Sequence, residues 1–217
     1  MTPAMKPIVV VNPNSNPDVT AGLDAALAGF RFPGGPAIEC LTLAEGPFGI
    51  ETAEDAARVV LPLADLMRGR PDAGAFVIAC FSDPGLALCR ATAPAPVFGI
   101  MESGILMALA RADLFGVVAI RNVSIPRHRQ AMRQMGVLDR LAGERALEMS
   151  VADSAGAGAY ARLAEVATAL KADGAGAVVL GCAGMARHRA RLEAEVGVTV
   201  IDPTQAAVAM ALGAVLA

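Results

Sequence analysis

The sequence predicts an α/β fold: two similar doubly wound lobes with parallel sheets and an active-site cleft between them. Three observations predict it. Short apolar, β-branched runs alternate with longer Ala- and Leu-rich amphipathic segments. The runs are continuous rather than alternating, as strands buried on both faces are. The pattern also repeats half way along, because Ala75-Phe76-Val77-Ile78-Ala79 stops at Cys80 as Ala177-Val178-Val179-Leu180-Gly181 stops at Cys182, 102 residues later (182 − 80).

Taken in order, residues 8–11 form a strand that ends in polar Asn12-Pro13-Asn14, and 19–28 a helix. A strand at 38–43 and a helix at 52–67 lead to the strand 75–79. The next helix spans 84–91, with Asp83 as its cap and Pro84 in its first turn. A short strand at 97–100 and a helix at 103–110 close the first half. The second half opens with a strand at 115–120, ending in Arg121-Asn122, then a helix at 127–135 and a strand-like run at 146–151. A helix at 157–171, a strand at 177–180, a helix at 185–195, a strand at 198–201 and a closing helix at 204–216 complete it.

Composition narrows the function. A chain of 217 residues that is 55% hydrophobic and 18% charged has ample apolar surface for a core and is not a disordered protein. A net charge of -3, no Trp and 4% aromatics leave neither the positive field nor the stacking surfaces that nucleic acid requires. The apolar run 8–11 is short for a signal-peptide core, and the uncharged stretch 203–217 is short of the ~20 residues that span a bilayer. A soluble, cytoplasmic protein with no membrane partner is expected. The four cysteines, at 40, 80, 89 and 182, form no C-x-x-C pair, so neither a metal site nor a disulfide framework is expected. Gly156-Ala157-Gly158 imitates a dinucleotide fingerprint but follows no buried strand, so no nucleotide is expected either.

In open α/β sheets ligands sit beyond the carboxyl ends of the strands, and Cys80 and Cys182 both fall there, on opposite sides of one cleft if the lobes are related by an approximate two-fold. A helix start just after Cys80 favours thiolate, while Asp83 opposes it. After Cys182 no Ser, Thr, Asp or Asn is placed to cap the next helix, which leaves N–H groups near Ala183 and Gly184 for a substrate oxygen. Cys40, in a strand, and Cys89, in a helix, read as small core hydrophobes. His128 and His188 lie among arginines and read as solvated helix faces.

The segments Val10-Val11-Asn12-Pro13-Asn14-Ser15, Val77-Ile78-Ala79-Cys80-Phe81-Ser82-Asp83-Pro84-Gly85 and Val179-Leu180-Gly181-Cys182-Ala183-Gly184-Met185 resemble the aspartate/glutamate/hydantoin racemase superfamily. The hydantoin racemase branch is the most similar. The resemblance covers nearly the whole chain. It implies a cofactor-independent racemase in which Cys80 and Cys182 are the two acid/base groups. It also implies a C-terminal helix that returns to the first lobe, so that residues 1–98 and 206–217 make one lobe and 99–205 the other.

On this reading Asn12, Asn14, Ser15, Phe81, Ser82, Arg121, Ala183 and Gly184 bind the substrate. Side-chain amides and a hydroxyl suit the alternating donors and acceptors of a cyclic ureide. The chain departs from the hydantoin pattern at Ala119-Ile120-Arg121, where hydroxyl residues are common, so allantoin-like or carboxylate substrates come into range. Arg121 either enters the cleft opposite Asn12, favouring an acidic substituent, or turns outward into a salt bridge. Amino-acid racemase, decarboxylase or cis–trans isomerase activity on the same scaffold, and a non-catalytic binding protein, are the alternatives. The expected partner is a small molecule, with assembly as a homo-oligomer.

Overall fold

The computed structural model describes residues 5–217. Eight strands form two four-stranded parallel sheets. The first contains β1 (Ile8–Asn12), β2 (Ile38–Thr42), β3 (Ala75–Ile78) and β4 (Val97–Gly99) in the order β2-β1-β3-β4. The second contains β5 (Phe115–Ala119), β6 (Leu141–Ala146), β7 (Ala177–Leu180) and β8 (Thr199–Ile201) in the order β6-β5-β7-β8. The two orders are the same when four is added to each strand number, which is the half-repeat read from the sequence. Ile8 to Val11, Val77, Ile78, Val117, Val118, Val179 and Leu180 have no solvent exposure, as expected of parallel strands covered by helices on both faces.

The first sheet is flanked by α1 (Pro17–Ala26), α2 (Ala53–Arg58), α3 (Val60–Arg68) and α4 (Leu86–Thr92). The expected single helix over 52–67 is broken at Val59. Pro62 has no N–H to give, and its ring crowds the carbonyl four residues back, at Arg58, so the ladder restarts. α4 starts two residues later than the sequence implies. Gly85, at φ 72°, is its N-cap residue, and Asp83, itself at φ 43°, does not cap it. The Asp83 carboxylate instead accepts from the backbone N–H groups of Met101 (3.0 Å) and Glu102 (2.9 Å), and so caps α5 (Ile100–Leu109).

The second half carries α6 (Ile125–Gln134), α7 (Val151–Ala155), α8 (Tyr160–Ala172), α9 (Arg189–Val196) and α10 (Pro203–Leu216). The strand expected at 146–151 is in fact β6, five residues earlier. β6 is an edge strand, so it accommodates Glu144 and Arg145, and their polarity hid it. Val151 opens α7, because the Ser150 hydroxyl accepts the Asp153 N–H as an N-cap.

α10 lies across β1, β3 and β4, whereas α5 packs against β5, β7 and β8, and the two helices pack on each other. Small buried residues on α10, Ala206, Ala207 and Ala211, permit that close approach. The carboxyl ends of β3 and β7 therefore face a common cleft. No helix among the described residues is long and apolar enough to cross a membrane.

Candidate active site

In each sheet the chain turns outward in opposite directions from the two central strands, β1 and β3 or β5 and β7, and the crevice between their carboxyl ends is where such folds bind ligands. Cys80 follows β3 and Cys182 follows β7, and both line one cavity with Phe81, Ser82 and Ala183. Gly181 makes this possible in the second lobe. A Cβ there would lie 2.3 Å from the Val118 carbonyl oxygen, so only glycine lets β7 end tightly against β5 just before the thiol.

Both thiols are held above their ordinary range. Burial pushes Cys182 up to about 11, and Cys80 and Asp202 add to the rise, while the Gly184 N–H and the Ser154 side chain oppose it. Burial also raises Cys80, and Asp83 adds to this, against the Ser82 hydroxyl and N–H and the charge of Arg127. The Cys80 sulfur lies 3.3 Å from Ser82 Oγ. The helix after Cys80 begins only at Leu86, so its dipole gives the thiol little support. Because a charge on Cys80 raises Cys182 further, the site disfavours two thiolates at once.

After Cys182, a 3-10 turn over Ala183–His188 has no side-chain cap, as the sequence implies. Gly184 turns its N–H toward the Cys182 sulfur. Asn14 lines the cavity. Its Oδ1 accepts from Asn12 Nδ2 (2.9 Å) and the Asn16 N–H (3.0 Å), which leaves its own Nδ2 available to the cavity.

Asn12 and Ser15 do not line it. Asn12 is fully buried, with Nδ2 serving Asn14, the Asn16 carbonyl and Thr20, and Oδ1 accepting the Asn14 N–H, so its amide shapes the loop. The Ser15 N–H is tied to the Pro47 carbonyl at 2.9 Å.

Arg121 satisfies both readings at once. It lines the cavity, yet it is about half exposed and Nη1 lies 2.9 Å from Glu51 Oε2. Glu51 also accepts from the Val151 N–H at 3.4 Å, so this carboxylate ties the first half of the chain to two points of the second at the rim.

The histidines overturn the sequence expectation. His128 is 3% exposed, lines the cavity, and its Nδ1 lies 2.6 Å from Oε1 of Glu144, whose side chain has no exposure. Its ring meets Phe81 edge to face at 5.2 Å. His128 shares the inward face of α6 with Met132, four residues on, and that spacing was the available signal beneath the surrounding arginines. His188 is also buried, beside the Tyr160 ring. Burial lowers its pKa, helped by Arg187.

Ile50, Glu51, Ser124, Arg127 and Val151 are further cavity residues that the sequence did not single out. They come from loops and helix starts, where no strand-end rule pointed to them. Among the described residues no cluster of three or more His, Cys, Asp or Glu side chains is arranged to hold a metal.

Two parallel sheets of identical order, with a strand-end thiol from each lining one cavity, define a two-lobed α/β fold. Residues 8–211 match the Asp/Glu/Hydantoin racemase family model, and the chain belongs to this family; it is a racemase and hence an isomerase. It is 34% identical over 213 residues to a hydantoin racemase of Paenarthrobacter aurescens, covering 92% of this chain and 87% of that one. It is 33% identical over 210 residues to a hydantoin racemase of Rhizobium meliloti, covering 94% and 86%. An allantoin racemase from Klebsiella pneumoniae is similar in structure, with a TM-score of 0.91 and 34% identity over 96% of this chain and 87% of that chain.

Proposed function

We propose that this protein racemises, without a cofactor, a carbon acid next to a carbonyl in a 5-substituted hydantoin or a related, allantoin-like cyclic ureide. The observation that carries the reading is the pair of thiols at equivalent strand ends on one cavity. One, as thiolate, removes the α-proton from one face. The other, as thiol, returns a proton to the opposite face, and the roles exchange with the hand of the substrate. The rise that Cys80 imposes on Cys182 supports this division of labour, since it disfavours two thiolates and so favours one thiolate beside one thiol.

The developing enolate oxygen is held by N–H donors around Ser82 and Ala183, and the Asn14 amide meets a ureide carbonyl. The lobes are taken as 1–98 with 206–217 and 99–205, a division supported by the packing of α10 on the first sheet and α5 on the second. The hydantoin and allantoin racemases at 33–34% identity support the ureide class.

Polarimetry on single enantiomers of 5-methyl- and 5-benzylhydantoin and of allantoin, run in deuterated water, tests the reading. The expected result is loss of rotation with deuterium at the α-carbon. Loss of rotation without deuterium, or no turnover of any ureide beyond the uncatalysed rate, would overturn it.

A further inference from the structure

The cavity has more charge than a neutral ureide needs. Of its ionisable side chains, Glu51 and Arg121 pair with each other at the rim. His128 is held from behind by Glu144. Arg127 is left over. It lines the cavity, its side chain is part-exposed and has no ion pair or hydrogen bond among the described residues, and its Nε is buried without a partner.

A buried N–H donor with no acceptor is costly, and such groups in folded proteins are ordinarily met by something. Most of the other arginines of this chain already have a carboxylate, including Arg31, Arg70, Arg90 and Arg145. At the cavity a ligand carboxylate can supply that acceptor.

We infer that Arg127 is the anion receptor of this site, and that the substrate class is a cyclic ureide carrying a carboxylate on its 5-substituent. This rests on the ureide reading above and narrows it. It moves the role considered for Arg121 six residues along the chain (127 − 121), to a guanidinium whose charge is not already neutralised.

Geometry supports the choice of group. The planar fork of arginine matches a carboxylate with two parallel N–H···O bonds. Arg127 lies in the first turn of α6 beside His128, whose ring is fixed by Glu144 and Phe81, so the backbone that aims Arg127 is anchored by a buried pair. Arg127 also acts on the Cys80 side, where its charge lowers the thiol. A carboxylate seated on it therefore lies near Cys80.

The test compares 5-(carboxymethyl)hydantoin with 5-methylhydantoin in the parent, Arg127→Gln and Arg127→Lys. A hydrogen bond to a charged group contributes roughly 1.5–3 kcal/mol, so Arg127→Gln is expected to lose about 10- to 100-fold in kcat/KM on the acidic substrate, chiefly through KM. Removing the charge also withdraws support from the Cys80 thiolate, which lowers kcat on both substrates alike, so the readout is the ratio of the two kcat/KM values: the loss on the acidic substrate should exceed that on the methyl compound by about tenfold or more, and Arg127→Lys should recover part of the acidic selectivity.

Binding is measured separately by calorimetry with 5-methyl-5-(carboxymethyl)hydantoin, which has no α-hydrogen, against 5,5-dimethylhydantoin. Tighter binding of the carboxylate, lost in Arg127→Gln, upholds the receptor even if no hydantoin is racemised, and then only the ureide racemase reading fails. Equal losses on both substrates, or no binding of the carboxylate compound above its neutral analogue, would overturn the inference.

Discussion

Replacing Asp83 by asparagine and by alanine separates two things that one buried carboxylate does beneath the Cys80 loop. Its two oxygens accept the Met101 and Glu102 N–H groups at the start of α5, at 3.0 and 2.9 Å. Burial nevertheless pushes its pKa up to about 7, with Glu102 adding to the rise and the two N–H donors and Arg90 opposing it.

A folded pKa above the unfolded value means that the ionised form is the disfavoured one. The stability contribution is full below pH 3.8 and is lost as pH rises through about 7. The rise from 3.8 to about 7 corresponds to on the order of 4 kcal/mol, an upper value.

Asparagine resembles the protonated acid and cannot ionise. It keeps only one acceptor oxygen, so one of the two N–H groups is left facing an NH2 donor, and Asp83→Asn is expected to lie roughly 1–3 kcal/mol below the parent near pH 4 and to gain a few kcal/mol on it by pH 8. Asp83→Ala leaves both N–H groups without an acceptor and should lose about 2 kcal/mol or more at pH 5. Urea unfolding of all three proteins from pH 4 to 8 measures this. Differences between parent and variants cancel Asp202, raised to about 6 by burial, and His188, which burial lowers. A parent-to-asparagine difference that stays constant from pH 4 to 8 would refute the reasoning.

Gly181→Ala brings a Cβ to within 2.3 Å of the Val118 carbonyl oxygen, so the end of β7 has to move and take Cys182 with it. A destabilisation of roughly 1–3 kcal/mol by chemical denaturation is expected, with a fall in kcat larger than the rise in KM. With Cys182 held near 11 and Cys80 also raised, labelling of the cleft thiols by iodoacetamide should be slow at pH 7 and climb about tenfold per pH unit up to pH 9. Mass spectrometry of the modified peptides reads this directly, and a rate independent of pH over that range would show that a resting thiolate is already present.

The sheets were legible in the sequence because parallel strands buried on both faces leave unbroken apolar runs. β7 was read to the residue, and β1, β3 and β5 to within one. β6 was not, because an edge strand tolerates Glu144 and Arg145 and so loses that signature. The thiols were found by position, since both terminate a central strand. Asn12 was misplaced because a strand end predicts nearness to the cleft and does not tell whether an amide points into it or is consumed by its own loop.

His128 and Arg127 were missed for a related reason. On a short helix rich in arginine, local composition describes the outer face, while the inner face depends on what folds against it, here Phe81 and Glu144, which lie 47 residues before and 16 after His128 (128 − 81, 144 − 128). The Asp83 cap was assigned to the helix next in sequence, whereas φ 43° turns its carboxylate to the one after.

The two-thiol mechanism is tested most directly by α-hydrogen exchange into deuterated water, measured by NMR on each enantiomer of one turned-over ureide with Cys80→Ser and Cys182→Ser. The account predicts that neither variant racemises at a substantial fraction of the parent rate, and that each still exchanges the α-hydrogen of a single enantiomer, the opposite one in the two variants. Normal racemisation by either variant, or exchange of both hands by a variant that has lost one thiol, would contradict it.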